Sequence, residues 1–412
     1  MTSDFIRNKQ QQIHSYLTGV MVFFTTVLSV TGLQSCRDES VIFIPERVPA
    51  STPEFSDISG FYLLNEGNMG SNKSTLDYYD YTTGDYIRNI YAEANPDVPM
   101  ELGDVGNDLL IHGSRLYAVI NCSNKVEVMD AVSARRIGQV DIPNCRYMKA
   151  HGGFLYVTSY AGPVEIRPDY RQRGYVAKID TATLQEVDRC LVGYQPDGIE
   201  IVGEQIYVAN SGGYMVPNYE KTVSVIDIAT FTETERIEVG VNLSRLLADR
   251  EGKLWIASRG DYIDVEPRLY CYDTRKKRLV ANLNVGVSSM CLKGDSIMAV
   301  STDWDELTMT RTTGYALIDT QSMAKVADSF ITDGSEKEIK VPFGIAVNSA
   351  NGDFFITDAR NYVTPGRLHC YSADGVLQWS VRTGDIPAVI AFTGSRRDTE
   401  QSSEREPASR GK

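Results

Sequence analysis

Histidine is nearly missing from this chain of 412 residues: there are four, against 41 Lys and Arg and 54 Asp and Glu. The base most often used near neutral pH is therefore scarce. Seven cysteines occur, none in a C-x-x-C pair, which removes the common zinc and dithiol motifs. A glycine-rich phosphate loop, a G-x-S-x-G elbow and an H-E-x-x-H helix are all lacking. The net charge of -13 excludes a phosphate-neutralising nucleic-acid surface. What the chain does have is 42% hydrophobic and 23% charged residues, the balance of a folded globular protein. It also carries 23 Tyr beside 13 Phe and 3 Trp. Tyr suits strands and surfaces that are half apolar and half polar, which points to a β protein with a recognition face.

The single long hydrophobic run, Leu17 to Leu33, follows Arg7 and Lys9 and ends in Leu33-Gln34-Ser35-Cys36. A basic start, an apolar stretch and small residues before a cysteine are the marks of a lipoprotein signal. Residues 1–35 are expected to be a signal peptide and Cys36 the lipidated residue. The stretch 36–56, with Pro45, Pro49 and Pro53, is expected to be a tether. The acidic pair after Cys36, Asp38-Glu39, looks like a surface-export signal, so the expected location is the outer membrane, cell surface, held by lipid. Residues 394–412 turn to Ser, Arg and Glu and are expected to be a disordered tail. Each end contributes +1, so the segment 36–393 carries -15.

Between these ends runs a repeat. Six segments of alternating apolar and polar residues close on Asp80, Asp130, Asp180, Asp227, Asp273 and Asp319, and a seventh closes on Ser372. Alternation with period two marks a half-buried strand. A second strand precedes each, as in Leu116–Val119, Ile206–Asn210 and Leu254–Ser258, and a glycine turn sits upstream of most of them (Gly113, Gly152, Gly203, Gly252, Gly294, Gly352). Four strands recurring every 46–53 residues specify an all-β, seven-bladed β-propeller of antiparallel blades over 57–393. Blade one starts with its second strand, and 385–392 is an apolar segment without a blade. The chain is therefore expected to close the ring by adding its C-terminal strand to blade one.

Strand direction then puts the loops between second and third strands on one face. These are long around 66–73, 160–173, 211–220, 259–266, 302–312 and 359–365, and short only at Cys122-Ser123. Long loops on a rigid ring mark a recognition surface. The candidate ligand-binding residues fall there or at adjoining strand ends: Asn65, Glu66, Asn68, Asn121, Arg146, Tyr147, Tyr160, Asn210, Tyr214, Arg259, Tyr262, Asp303, Trp304, Asp358 and Tyr362. His112 and His151 fall on the opposite face and His369 within a strand, so no histidine reaches this surface. No catalytic or metal residue is assigned, and a binding protein is expected rather than an enzyme. Cys122 and Cys145 occupy one face in adjacent blades and are expected as a possible disulfide.

The segments Ile206–Asn210, Val223–Thr230 and Ile237–Gly240 resemble the repeat of YncE-like seven-bladed propellers, over about 58–392. The opening Gly60-Phe-Tyr-Leu-Leu-Asn-Glu-Gly67-Asn68, with the lipoprotein signal, is similar to surface lipoproteins of Bacteroides-type outer membranes, including the BtuG type. That resemblance implies a protein that captures cobalamin or another corrinoid as transported ligand, with no cofactor of its own. It also implies delivery to a TonB-dependent outer-membrane transporter. Two other readings stay open: a protein- or glycan-binding propeller without small ligand, and a calcium-dependent lactonase-like hydrolase in which Glu66, Asn210 and Asp358 meet near the axis.

Overall fold

In a computed structural model the described residues are 45–53, 58–98, 102–305 and 310–394. The leader, Cys36, most of the tail and the Trp304 side chain lie outside them. The alternating segments form seven antiparallel sheets, six of four strands and one of five. From blade one to blade seven the innermost strands are Pro387–Thr393, Gly106–His112, Cys145–His151, Pro196–Val202, Leu243–Ala248, Ser289–Lys293 and Pro342–Val347. Each touches the next, and the last touches the first, so the ring is closed. The closing strand, Pro387–Thr393, lies along Gly60–Asn65 with Leu63 opposite Ile390 and Phe61 opposite Phe392. Blade one has a fifth, outer strand: Glu46–Pro49, inside the expected tether, pairs with Asp85–Arg88. The loop expected at 302–312 is largely strand, because Thr302 to Asp305 pairs with Thr310 to Thr313. The β-branched threonines on both sides suit a strand better than a loop.

The repeated aspartate ends each third strand for a local reason. In Asp180 the carboxylate accepts the backbone N–H groups of Ala182 and Thr183 at 2.9 and 2.8 Å. Asp130, Asp227, Asp273 and Asp319 do the same for the residues that follow them. These bonds close a turn whose fourth residue after Asp has a left-handed backbone, at Ala134, Leu184, Phe231, Lys277 and Met323. None is glycine, and the conformational cost is offset by contacts to the preceding blade. Leu184, Phe231 and Met323 pack into inter-blade clusters, and Lys277 Nζ reaches Glu235 in blade four at 3.0 Å.

Of the eight hydrophobic clusters among the described residues, seven sit one at each blade junction. The five–six junction is built on Trp255, wholly buried, whose indole N–H donates to Asp249 at 3.0 Å. The seven–one junction is aromatic: Phe61 meets Phe355 at 4.7 Å and Tyr79 stacks on Trp379 at 4.9 Å between ring centres. Burial of both faces of every sheet against its two neighbours, repeated around the ring, is the main source of stability.

Candidate functional site

The mouth of the central channel is shaped by a backbone irregularity that recurs in six blades. At its start each inner strand, except that of blade six, carries one more residue than the strand beside it. In blade three Arg146 and Tyr147 oppose Thr158 alone. Asp197 and Gly198 oppose Ala209 in blade four, Ser244 and Arg245 oppose Ala257 in blade five, and Phe343 and Gly344 oppose Thr357 in blade seven. Asn107 and Ala388 are the extra residues of blades two and one. Such bulges re-aim side chains at rims. The opposing threonine takes up a freed donor: Thr357 Oγ1 accepts Gly344 N–H at 2.7 Å and Thr158 Oγ1 accepts Tyr147 N–H at 3.1 Å. Neighbouring inner strands come so close here that a Cβ on Gly344 would lie 1.9 Å from the Ala388 carbonyl oxygen.

The bulges hold a cluster of charges. Asp197, with a side chain 2% exposed, receives Arg146 Nε at 3.3 Å and Arg259 Nη2 at 2.8 Å. The Tyr160 hydroxyl donates to the same carboxylate at 2.7 Å. Burial alone would raise the Asp197 pKa, but Arg259, Arg146 and Tyr160 together hold it below the usual carboxylate range. Arg146 also lies over the Tyr160 ring at 5.0 Å and donates to Asn107 at 3.4 Å. Arg245 lies over Tyr147 at 4.5 Å and donates from Nε to the Ser288 carbonyl at 3.3 Å. Glu66 is fixed through its backbone: its N–H donates to Ile386 and its carbonyl accepts Gly106 N–H. Loss of hydration in the mouth pushes its carboxyl pKa up to about 7, against the pull of Arg245 and Arg146.

These groups line a cavity of about 650 Å³, bounded by Glu66, Arg146, Tyr147, Arg245, Arg259, Tyr262 and Asp303, with Asn107, Ser244, Ser288 and Phe343 between them. That volume lies within the usual range of small-molecule sites, roughly 300–1,000 Å³. Around it the long loops carry an apolar rim. Met69, Ile166, Tyr262, Ile263 and Val363 are 78%, 74%, 60%, 79% and 61% exposed, respectively.

Of the residues expected at the site, Glu66, Arg146, Tyr147, Arg259, Tyr262 and Asp303 line the cavity. Tyr160 stands behind it on Asp197, Tyr214 stands edge-on to Tyr160 at 6.3 Å, and Tyr362 packs on Phe343 at 6.0 Å. Other candidates at strand ends do not reach the cavity. Asn65, Asn210 and Asp358 are buried and bind the scaffold. Asn65 donates to Thr75 Oγ1 at 3.1 Å. Asn210 accepts Gly193 N–H and donates to Thr222 and Ser224. Asp358 accepts the N–H groups of Val341 and Arg360, both at 2.8 Å. Asn121 likewise donates to the Cys145 carbonyl at 2.9 Å. Asn68 accepts Ser71 N–H within its own loop. Of the lactonase-like trio only Glu66 faces the cavity, and among the described residues no group of three His, Cys, Asp or Glu could hold a metal.

Cys122 and Cys145 are free thiols, not a disulfide. Cys145 is buried and points its thiol at the Lys125 carbonyl, 3.3 Å away, while Cys122 points at Asn121. Asp197 and Arg245 were not legible as site residues. The one signal for them is their position, at the second or third residue of an inner strand, in register with Arg146.

Fold and cavity together define a seven-bladed propeller with a charged axial mouth on its long-loop face. Residues 59–379 match the family model described as a domain of unknown function, DUF5074, and the chain belongs to that family. No curated protein matches it. Two solved structures share the fold. One is titled Kuenenia stuttgartiensis hydrazine synthase: 15% identity, TM-score 0.54, covering 70% of this chain and 92% of that one. The other is a quinonprotein alcohol dehydrogenase-like protein from Bacteroides thetaiotaomicron: 14% identity, TM-score 0.52, covering 82% and 79%. At such identities the likeness is one of architecture alone.

Proposed function

We propose that this propeller captures a large amphipathic ligand on its long-loop face, with a corrinoid such as cobalamin as that ligand. In this reading a lipid on Cys36 holds the chain at the outer-membrane surface, and a TonB-dependent transporter receives the cargo. The observation that carries the reading is the placement of an apolar rim around a polar cavity on one face of the ring. Rim side chains such as Tyr262 and Ile263 can cover apolar edges of a ligand, and Asn107, Ser244 and Ser288 can bond its amide arms. The test is calorimetric titration of the protein with cyanocobalamin. Micromolar or tighter binding is expected, weakened at least tenfold in Tyr262→Ala/Ile263→Ser. No detectable heat at protein concentrations of tens of micromolar would refute corrinoid capture.

A further inference from the structure

Arg245 differs from its two arginine neighbours. Arg146 and Arg259 share Asp197, but among the described residues no ion pair joins Arg245, and only its Nε has a protein acceptor. A guanidinium presents five N–H donors. The others stand at the wall of the cavity, braced by the Tyr147 ring on one side. Tyr147 is itself buried, with Arg146 at 5.7 Å and Arg245 at 4.5 Å from its centre. The brace limits the freedom of the side chain, so little entropy is lost when a ligand engages it.

The charge balance points the same way. The chain carries -13 overall, yet three arginines converge on one mouth: Asp197 pairs with Arg146 and Arg259, while Arg245 feels the charge of Asp108 without forming an ion pair with it. Asp303, also on the cavity wall, sits on blade six opposite Thr312. Glu266 is at the exposed rim. Guanidinium groups gathered at one mouth, one of them without an ion pair among the described residues, offer an anion a place to bind even in an acidic protein.

We propose that the mouth is an anion subsite, in which Arg245, assisted by Arg146, takes a carboxylate or phosphodiester group of the ligand. This rests on the reading of the mouth as a ligand site and adds the chemistry of the group it holds. Glu66 regulates the subsite. It faces Arg245 of blade five, Arg146 of blade three and Tyr362 of blade seven, with Arg259 and Asp303 across the cavity. Below about pH 7 its carboxyl is neutral and leaves the arginines to the anion. Above that pH it is ionised and competes, so binding takes up a proton and weakens as pH rises.

The probes are dimethyl phosphate, whose charge does not change between pH 6 and 8.5, and glutarate, which is mainly the dianion throughout that range, titrated by calorimetry at fixed ionic strength; the pH comparison is read from dimethyl phosphate. Millimolar binding is expected at pH 6, and about tenfold weaker binding at pH 8.5, the equivalent of roughly 1.4 kcal/mol. Glu66→Gln should bind both probes, dimethyl phosphate with no pH dependence. Arg245→Gln should lose at least tenfold, and Arg245→Lys should keep part of the affinity, separating lost charge from misfolding. Undiminished binding in Arg245→Gln, or no binding of either anion up to about 50 mM, would overturn the subsite. Cyanocobalamin and dicyanocobinamide, with and without the phosphodiester, separate the two readings. Anion binding without corrinoid binding removes the corrinoid and keeps the subsite. Equal, pH-independent binding of both corrinoids keeps capture and removes the subsite.

Discussion

Asp197→Asn tests the charge cluster behind the cavity. The substitution keeps the shape of the side chain and an oxygen for the Tyr160 hydroxyl, but removes the charge that faces Arg146 and Arg259. Removing one partner of a buried ion pair costs about 3–5 kcal/mol. Here the arginines are 20% and 33% exposed and can turn toward water. The retained Tyr160 bond also lowers the cost. A loss of about 2–3 kcal/mol is expected, a factor of roughly 30–150 in the folding equilibrium. It should appear as a lower urea midpoint followed through Trp fluorescence, with Trp255 and Trp379 in the core as reporters. The same change frees two guanidinium groups, so affinity for glutarate should rise as stability falls. A variant within about 0.5 kcal/mol of the parent, with unchanged anion affinity, would refute the assignment of Asp197 as the countercharge that holds the mouth together.

Other expectations follow from the scaffold. Truncation after Asp385 removes the strand paired with Gly60–Asn65 and should leave an open edge, seen as soluble aggregates by light scattering. Gly344→Ala sets a Cβ against the Ala388 carbonyl and should lower the thermal midpoint without change in far-UV circular dichroism. An unchanged midpoint would mean the strands can part freely. Unfolded without reductant, the chain after Cys36 should titrate six thiols with a thiol reagent, whereas four would mean that Cys122 and Cys145 are bonded. In the native state Cys145 should resist alkylation at pH 8, since burial pushes its pKa up to about 12. The turn carboxylates Asp180, Asp227, Asp273 and Asp319 are held below their ordinary pKa by backbone and side-chain hydrogen bonds. Their contribution is therefore present above the unfolded value near 4 and lost as pH falls through the folded values. Acid unfolding should begin below about pH 4 and shift to higher pH when Asp180 and Asp227 are changed to Asn.

The ring was legible because its signals are local and repeated. The Asp that ends each third strand is a hydrogen-bonding device, and an apolar segment at 387–393 beyond the seventh blade had to pair somewhere. The mouth was only half legible. Strand alternation with period two places residues in or out of a sheet, but a bulge adds one residue and re-aims those beside it without any composition cue. Hence Asn210 and Asp358, polar and at strand ends, carry the pattern of mouth residues although they fasten the loops. Asp197 and Arg245 lie inside strands and carry no such cue. Arg146 is legible because the connection that leads into its strand lies on the same face as the long loops.

The most direct test of the account is a crystal structure of the protein grown with cyanocobalamin. Density is expected on the long-loop face, with an anionic oxygen of the ligand within hydrogen-bond distance of Arg245 and its apolar edge against Tyr262. Ligand density on the opposite face or along the outer strands, or an empty mouth at saturating ligand, would contradict it.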